Sequence, residues 1–328
     1  MPRRSLPRRV RTQAQIFSAF ATAFGKTLIT GHPEAPPEAP LAAPGAMRIW
    51  AQNVSLYLDD AIVLKLKDFV ADLVMNDPDE PLVPEARDTY VFAIRAGTVR
   101  LPAASLEALL NRYILPAVGA PLKDARLSIS GDRLVLRGKV HRFRLDLPIT
   151  LESQVAIGTD GMIELLPEHI AVSEVGVGGM FKLFKLELER LIDLPSGGPF
   201  RILGNQITID PVQIFPAPRA IGHPSTVRIE RGELVLEYGD GDRPTPPPLL
   251  DEAPNYLMGV GHDLVVGRML MHDACFQIVN QEPSKHLDFS LERYREQLGR
   301  GASSLRPGDQ LLVRLPNLDG PLARSLAD

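Results

Sequence analysis

Residues 145–157 constrain this chain more than any other stretch. Seven consecutive odd positions, Leu145, Leu147, Ile149, Leu151, Ser153, Val155 and Ile157, place six apolar side chains on one face. Arg144, Asp146, Pro148, Thr150, Glu152 and Gln154 line the other face. A period of two is the signature of a half-buried strand. At about 3.3 Å per residue such a strand runs about 40 Å, far beyond the usual five or six residues. A sheet built on it carries a long apolar face that other elements must cover. Gly158-Thr159-Asp160-Gly161 then turns the chain back into Met162-Ile163-Glu164-Leu165-Leu166.

The same period dominates from Met47 onward. Ile62, Leu64 and Leu66 alternate with Val63, Lys65 and Lys67. The apolar phase then slips by one residue to Phe69, Ala71, Leu73 and Met75, as a β-bulge produces. Tyr90, Phe92, Ile94 and Ala96 repeat the pattern. Further strands are expected over 206–210 with Val212 and Ile214, over 226–230 and 233–238, and later over 264–271, 274–279 and 310–315. Helices are fewer. One runs from Leu101-Pro102-Ala103 to about Leu115, with Leu106, Leu109, Leu110, Tyr113 and Ile114 on a broad apolar face and Pro116 as its stop. A second, over 179–193, is apolar around more than half its circumference through Met180, Leu183, Phe184, Leu186, Leu188, Leu191 and Ile192. That exceeds what a helix lying on a sheet needs. A third is expected over 290–298.

Two proline-rich stretches, 32–46 and 243–254, read as extended linkers. They divide the chain into a basic leader and linker (1–46), an α+β domain (47–242), the second linker (243–254) and a β-rich C-terminal extension with one helix (255–328). Within residues 1–31 lie Arg3, Arg4, Arg8, Arg9, Arg11 and Lys26 and no acid. Ile16, Phe17, Phe20, Phe24 and Leu28 fall there at helical spacing. Three readings fit: a helix that sets Phe17, Phe20 and Phe24 into an anionic membrane surface, an export signal around Ala21-Thr22-Ala23, or an inert tail.

The remaining features narrow the chemistry. A net charge of −4 and an aromatic content of 6% speak against a nucleic-acid partner. No run of 18 apolar residues offers an ordinary transmembrane helix. His262-Asp263 and His272-Asp273 repeat ten residues apart, but they stand at strand ends, where turn polarity explains them better than metal chemistry. Gly176, Gly178 and Gly179 lack the Lys-Ser/Thr of a phosphate loop, and Cys275 sits in an apolar run as a buried thiol would. The sequence therefore calls for no catalytic residue, metal or cofactor, and the protein is expected not to be an enzyme.

Residues from about 99 to 240 resemble the bacterial phospholipid-binding members of the tubular lipid-binding superfamily. The resemblance rests on an ordered series: the helix LEALLNRYILP (106–116), LKDARLSISGDRLVLRGKV (122–140), the long strand LDLPITLESQVAI (145–157), DGMIELLPEHIAV (160–172), the apolar helix 179–193 and the hairpin TVRIERGELVLEY (226–238). It implies a highly curved antiparallel sheet wrapped around amphipathic helices, lipid acyl chains in the resulting tube, an export signal and an envelope location. Neither the leader nor the part after 254 follows that pattern. Leu109, Ile114, Leu147, Ile149, Leu151, Met180, Phe184 and Leu188 are the expected lining residues, chosen by position. The sequence thus points to lipid or another long apolar molecule as partner, in the periplasm or envelope at a membrane surface. A dry structural protein of the envelope is the competing reading, and the cytoplasmic membrane surface the competing place.

Overall fold

The computed structural model describes residues 45–119, 122–142, 145–172, 188–192, 199–239, 243–283 and 285–318. The first part holds β1 (Ala46–Gln52), β2 (Val54–Tyr57), β3 (Val63–Met75) and β4 (Tyr90–Pro102). Helix α1 (Ala103–Leu109) follows, then a π turn (Leu110–Ile114) and α2 (Leu115–Val118). Next come β5 (Leu122–Ser130), β6 (Arg133–Arg142), β7 (Leu145–Ile157), β8 (Ile163–Val172), α3 (Leu188–Leu191), β9 (Phe200–Leu203) and β10 (Gln206–Ile209). The rest comprises β11 (Arg219–Ile221), β12 (Thr226–Glu230), β13 (Glu233–Tyr238), β14 (Tyr256–Val260), β15 (Leu264–Val266), β16 (Met269–Met271), β17 (Cys275–Asn280), β18 (Leu287–Ser290), α4 (Tyr294–Arg300), β19 (Ala302–Arg306) and β20 (Gln310–Leu315).

Two large sheets, curved but not closed, carry the fold. One has twelve strands in the order β12-β13-β4-β3-β1-β14-β17-β20-β19, with β11 beside β4, and β2 pairing both β3 and β18. The other has six, β5-β6-β7-β8-β10-β9. Pairing is mainly antiparallel, and three pairs, β4–β11, β17–β20 and β2–β18, are parallel.

The long strand forms as its alternation demands, with Ile149, Leu151 and Ser153 buried. Its inward face joins two cores. Leu147, Ile149 and Leu151 pack with Leu122, Val140, Val172, Leu188, Ile192 and Ile207 beneath the six-stranded sheet. Val155 and Ile157 instead pack on the cluster of Leu66, Val99, Leu101, Leu109, Ile114, Leu234 and Leu236.

The expected phase slip is present, and it belongs to a line of irregularities across three strands. The β3–β4 register shifts on either side of Val70, and Asp68 has φ 49°. Asn53, between β1 and β2, has φ 50°. Gly97 of β4 has φ +128°, and a Cβ there would lie 2.5 Å from the Cα of Phe69, so only glycine fits. These three points let the sheet bend. They also switch phase, so that Ile49 and Val54, and Leu66 and Phe69, face the same side.

Several boundaries differ from the sequence expectation. Pro116 does not stop the helix, which continues through α2 to Gly119 in the left-handed conformation. The preceding π turn widens the ladder where proline has no N–H to give. The run 264–271 is a tight hairpin, β15–β16, because Gly267 (φ +61°) turns it. Ser290 ends β18 by pairing with Tyr57, so the last helix starts later, at Tyr294. Val212 and Ile214 sit in a turn, where the Asp210 carboxylate accepts the Val212 N–H (2.9 Å).

The C-terminal segment is β-rich with one helix, but apart from the two-stranded β15–β16 hairpin its strands belong to the main sheet. Strand β14 pairs antiparallel with β1, Ile49 opposite Gly259, and β17, β20 and β19 extend the same sheet. The proline-rich stretch before it is tied down. Trp50 Nε1 donates to the Pro244 carbonyl (2.8 Å). The buried Gln277 amide accepts the N–H groups of Leu250 (2.6 Å) and Asp251 (2.9 Å) and donates to the Asp251 carbonyl (2.8 Å).

Candidate functional site

The bend in the twelve-stranded sheet encloses apolar space. Met47 and Ile49 of β1, Val54 and Leu56 of β2 and Leu66, Phe69 and Leu73 of β3 form one wall. Leu257 of β14, Phe276 and Ile278 of β17 and Leu311 and Val313 of β20 form the opposing one. Leu291, Tyr294 and Leu298, at and beside α4, cover one side. Leu82, Pro84, Tyr90 and Phe92, with Leu264 and Val266 of the β15–β16 hairpin, cover another.

The cavity amounts to about 110 Å³ and is lined almost wholly by carbon. An apolar cavity of about 150 Å³ stays dry and binds benzene, so this one is of a size to take a ring or a short run of methylenes. Water gains nothing there, because it needs two to four polar partners.

The two tyrosines of the lining keep their hydroxyls occupied. Tyr90 Oη donates to the Pro84 carbonyl (3.1 Å), and burial pushes its pKa up to about 12. Burial, then the neighbouring Glu85, raises that of Tyr294. Ion pairs clasp the loop after Leu82 to α4 and the segment before it: Arg87 to Glu292 (3.9 Å) and Arg295 to Glu85. Arg87 Nη1 also donates to the Leu58 carbonyl (3.0 Å). Such exposed pairs orient more than they stabilise.

The residues expected to line a tube lie elsewhere. Leu147, Ile149, Leu151 and Leu188 come together under the six-stranded sheet, with Leu188 and Leu151 fully buried. Leu109 and Ile114 sit in the core between the sheets. Met180 and Phe184, like Phe17, Phe20 and Phe24 of the leader, lie outside the described residues. None of the six described residues is on the cavity wall. The wall was missed because each of its strands reads as ordinary core. The available signal was the pair of phase slips at Asn53 and Asp68, which turn two adjacent strands toward one space.

The repeated His-Asp pairs stand at the base of the hairpin. His272 Nδ1 meets Asp263 Oδ2 at 2.9 Å, and His262 Nε2 meets the Glu80 carbonyl at 2.8 Å. Among the described residues no group of three or more His, Cys, Asp or Glu is placed to hold a metal ion, and no helix is long and apolar enough to cross a membrane. Cys275 is a buried free thiol, and burial raises its pKa. Against protein-family models, curated proteins and solved structures, the chain matches none.

Proposed function

We propose that the protein binds, and by that means carries or holds, lipid or another apolar molecule, and that it acts by binding and not by catalysis. The observation that carries this reading is the carbon-lined cavity inside the bent sheet. Its size admits part of a long molecule, with the remainder lying along the surrounding core. The finer architecture belongs to the same proposal: the six-stranded sheet curls around the apolar segment 179–193. The burial of Leu188 and Ile192 against Ile149 and Leu151 supports it. A peripheral place at a membrane of the cell envelope, reached through residues 1–31, rests on their six positive charges and apolar stripe. A dry scaffold is favoured by one specific fact, the full burial of Leu151 and Leu188 in a continuous core.

Native mass spectrometry of gently purified protein, with lipid extraction, tests the proposal. Bound apolar molecules are expected at a substantial fraction of one per chain. Val313→Phe, which fills the cavity, is expected to lower that occupancy while leaving the unfolding midpoint equal or higher, as cavity-filling changes do. In a dry core, Leu188→Ser is expected to cost about 3–5 kcal/mol, since a void and an unpaired hydroxyl arise together. Leu188 stands off the cavity wall, so this variant reports on the core alone. No extractable lipid and no saturable uptake of an apolar dye together sink the carrier reading and leave the scaffold.

A further inference from the structure

The β15–β16 hairpin is apolar on both faces. Leu264 pairs with Met271 and Val266 with Met269, and cross-strand partners share a face. That face turns inward, since Leu264 and Val266 line the cavity and Met271 packs beside them. The other face carries Val265 opposite Leu270, and Leu270 is 50% exposed. Met269 at the hairpin end is also exposed. A strand pair facing water on one side ordinarily alternates apolar with polar. This one does not.

The loop beside the hairpin is acidic, while the hairpin's own turn carries Arg268. Loop residues 76–89 carry Asp77, Asp79, Glu80, Glu85 and Asp88 against the single base Arg87. The loop is joined directly to the hairpin, with the Leu82 N–H on the Asp263 carbonyl and the Val265 N–H on the Leu82 carbonyl, both 2.8 Å. Asp263 and Asp273 flank the hairpin itself.

The chain enters the fold beside the same loop. The Gly45 carbonyl accepts the Met75 N–H (3.1 Å), and Gly45 lies hard against Pro78. Pro78 and Leu82 are four residues apart, at most about 14 Å. The proline-rich stretch between Leu28 and Gly45 spans about 50 Å at about 3.1 Å per residue, so reach sets no limit. What precedes it is the complement of the hairpin: an apolar stripe of Ile16, Phe17, Phe20, Phe24 and Leu28 amid six bases and no acid.

We infer that residues 16–28 dock in cis on the outer face of the β15–β16 hairpin, with their phenylalanines on Val265 and Leu270 and the leader's bases facing the acidic loop. A membrane surface competes for the same stripe, because one set of phenylalanines serves one partner at a time. The inference concerns the leader and the hairpin, so it stands or falls separately from ligand occupancy of the cavity.

The test uses the full chain with Cys275→Ser, carrying Phe20→Cys together with Leu270→Cys. Mild oxidation is expected to give a disulfide within one chain. Charge reversal at Asp77, Asp79 and Glu80 is expected to lower its yield several-fold, as is added anionic vesicle. A control pairing Phe20→Cys with Leu203→Cys, an exposed site on the other sheet, is expected to cross-link far less. Hydrogen exchange of amides 264–271 is expected to quicken when Phe17, Phe20 and Phe24 are changed to Ser. Equal cross-linking in the control, cross-links only between chains, or unchanged exchange overturns the inference. The second of those outcomes assigns the face to another copy. Complete vesicle binding with no cis cross-link in its absence assigns the leader to the membrane alone.

Discussion

Asp72 is the least exposed carboxylate among the described residues, with 1% of its side chain exposed. Arg48 reaches it through Nε (2.7 Å) and Nη2 (3.2 Å), and Arg95 through Nε (2.9 Å). Burial pushes its pKa up, but the Arg48 and then the Arg95 guanidinium outweigh burial and hold it below the usual carboxylate range. A carboxyl with a lowered folded pKa contributes stability above the unfolded pKa, about 3.9, and loses it as pH falls through the folded value. Asp72→Asn keeps the shape and removes the charge both arginines need. It is expected to cost about 2–3 kcal/mol at pH 7 and progressively less below about pH 4. Urea midpoints of parent and variant at pH 7 and pH 3 check this. A gap of equal size at both values shows that charge is not what Asp72 contributes. The sequence offered no warning of this cluster, since Arg48, Asp72 and Arg95 meet only once β1, β3 and β4 are in register.

At the level of elements, legibility followed clean alternation: β4 was read only as far as Ala96, and its last residues, Leu101 and Pro102, were assigned to the helix. The thirteen-residue β7 was readable to the residue, and so was the bulge in β3, because a register error over a long alternating run turns every apolar side chain to water. The shorter β12–β13 hairpin and β20 were readable too, the former with Arg231-Gly232 supplying the positive φ values a tight turn requires. Other short elements were not. Gly267 hid a turn inside an apolar run, and Pro116 mimicked a helix stop that the π turn bypasses. The cavity was least readable of all, being assembled from strands as distant as β1 and β20. The stretch 243–254 was half readable: proline made it extended, but only the fold shows what it lies on. Gln277, fully buried, holds three backbone groups of that stretch. Gln277→Leu leaves them unpaired and is expected to cost about 2–3 kcal/mol. It should also open 243–254 to protease before global unfolding and shift the emission of Trp50, which that stretch covers. Unaltered proteolysis would mean the strap is held by something other than this amide.

For the whole molecule the decisive fact is the seam between β1 and β14, where Arg48 through Gln52 pair with Val260 back to Tyr256. It makes residues on both sides of the second linker parts of one sheet and of one cavity lining. Unfolding is expected to be cooperative across the seam, with Trp50 fluorescence and far-UV circular dichroism giving coincident urea transitions. A chain ending at 254 lacks one wall of the cavity and leaves β1 with an open edge. It is expected to be insoluble or to lose its sharp transition. Two separated transitions, the first leaving residues 47–242 folded, would show that the seam is weaker than the sheets it joins.

The same seam puts the molecule on a clock. Asn53 Nδ2 reaches Asn255 Oδ1 at the seam's end, and 202 residues separate them. Synthesis at about 5–20 residues per second delivers the second partner about 10–40 s after the first. Throughout that interval β1 has a neighbour on one side only, and the carbon of Met47, Ile49 and Phe69 faces whatever the cell offers. The newborn chain is thus committed to waiting, and the interval before β14 arrives is when a holding chaperone, or a ligand seated early, would matter most.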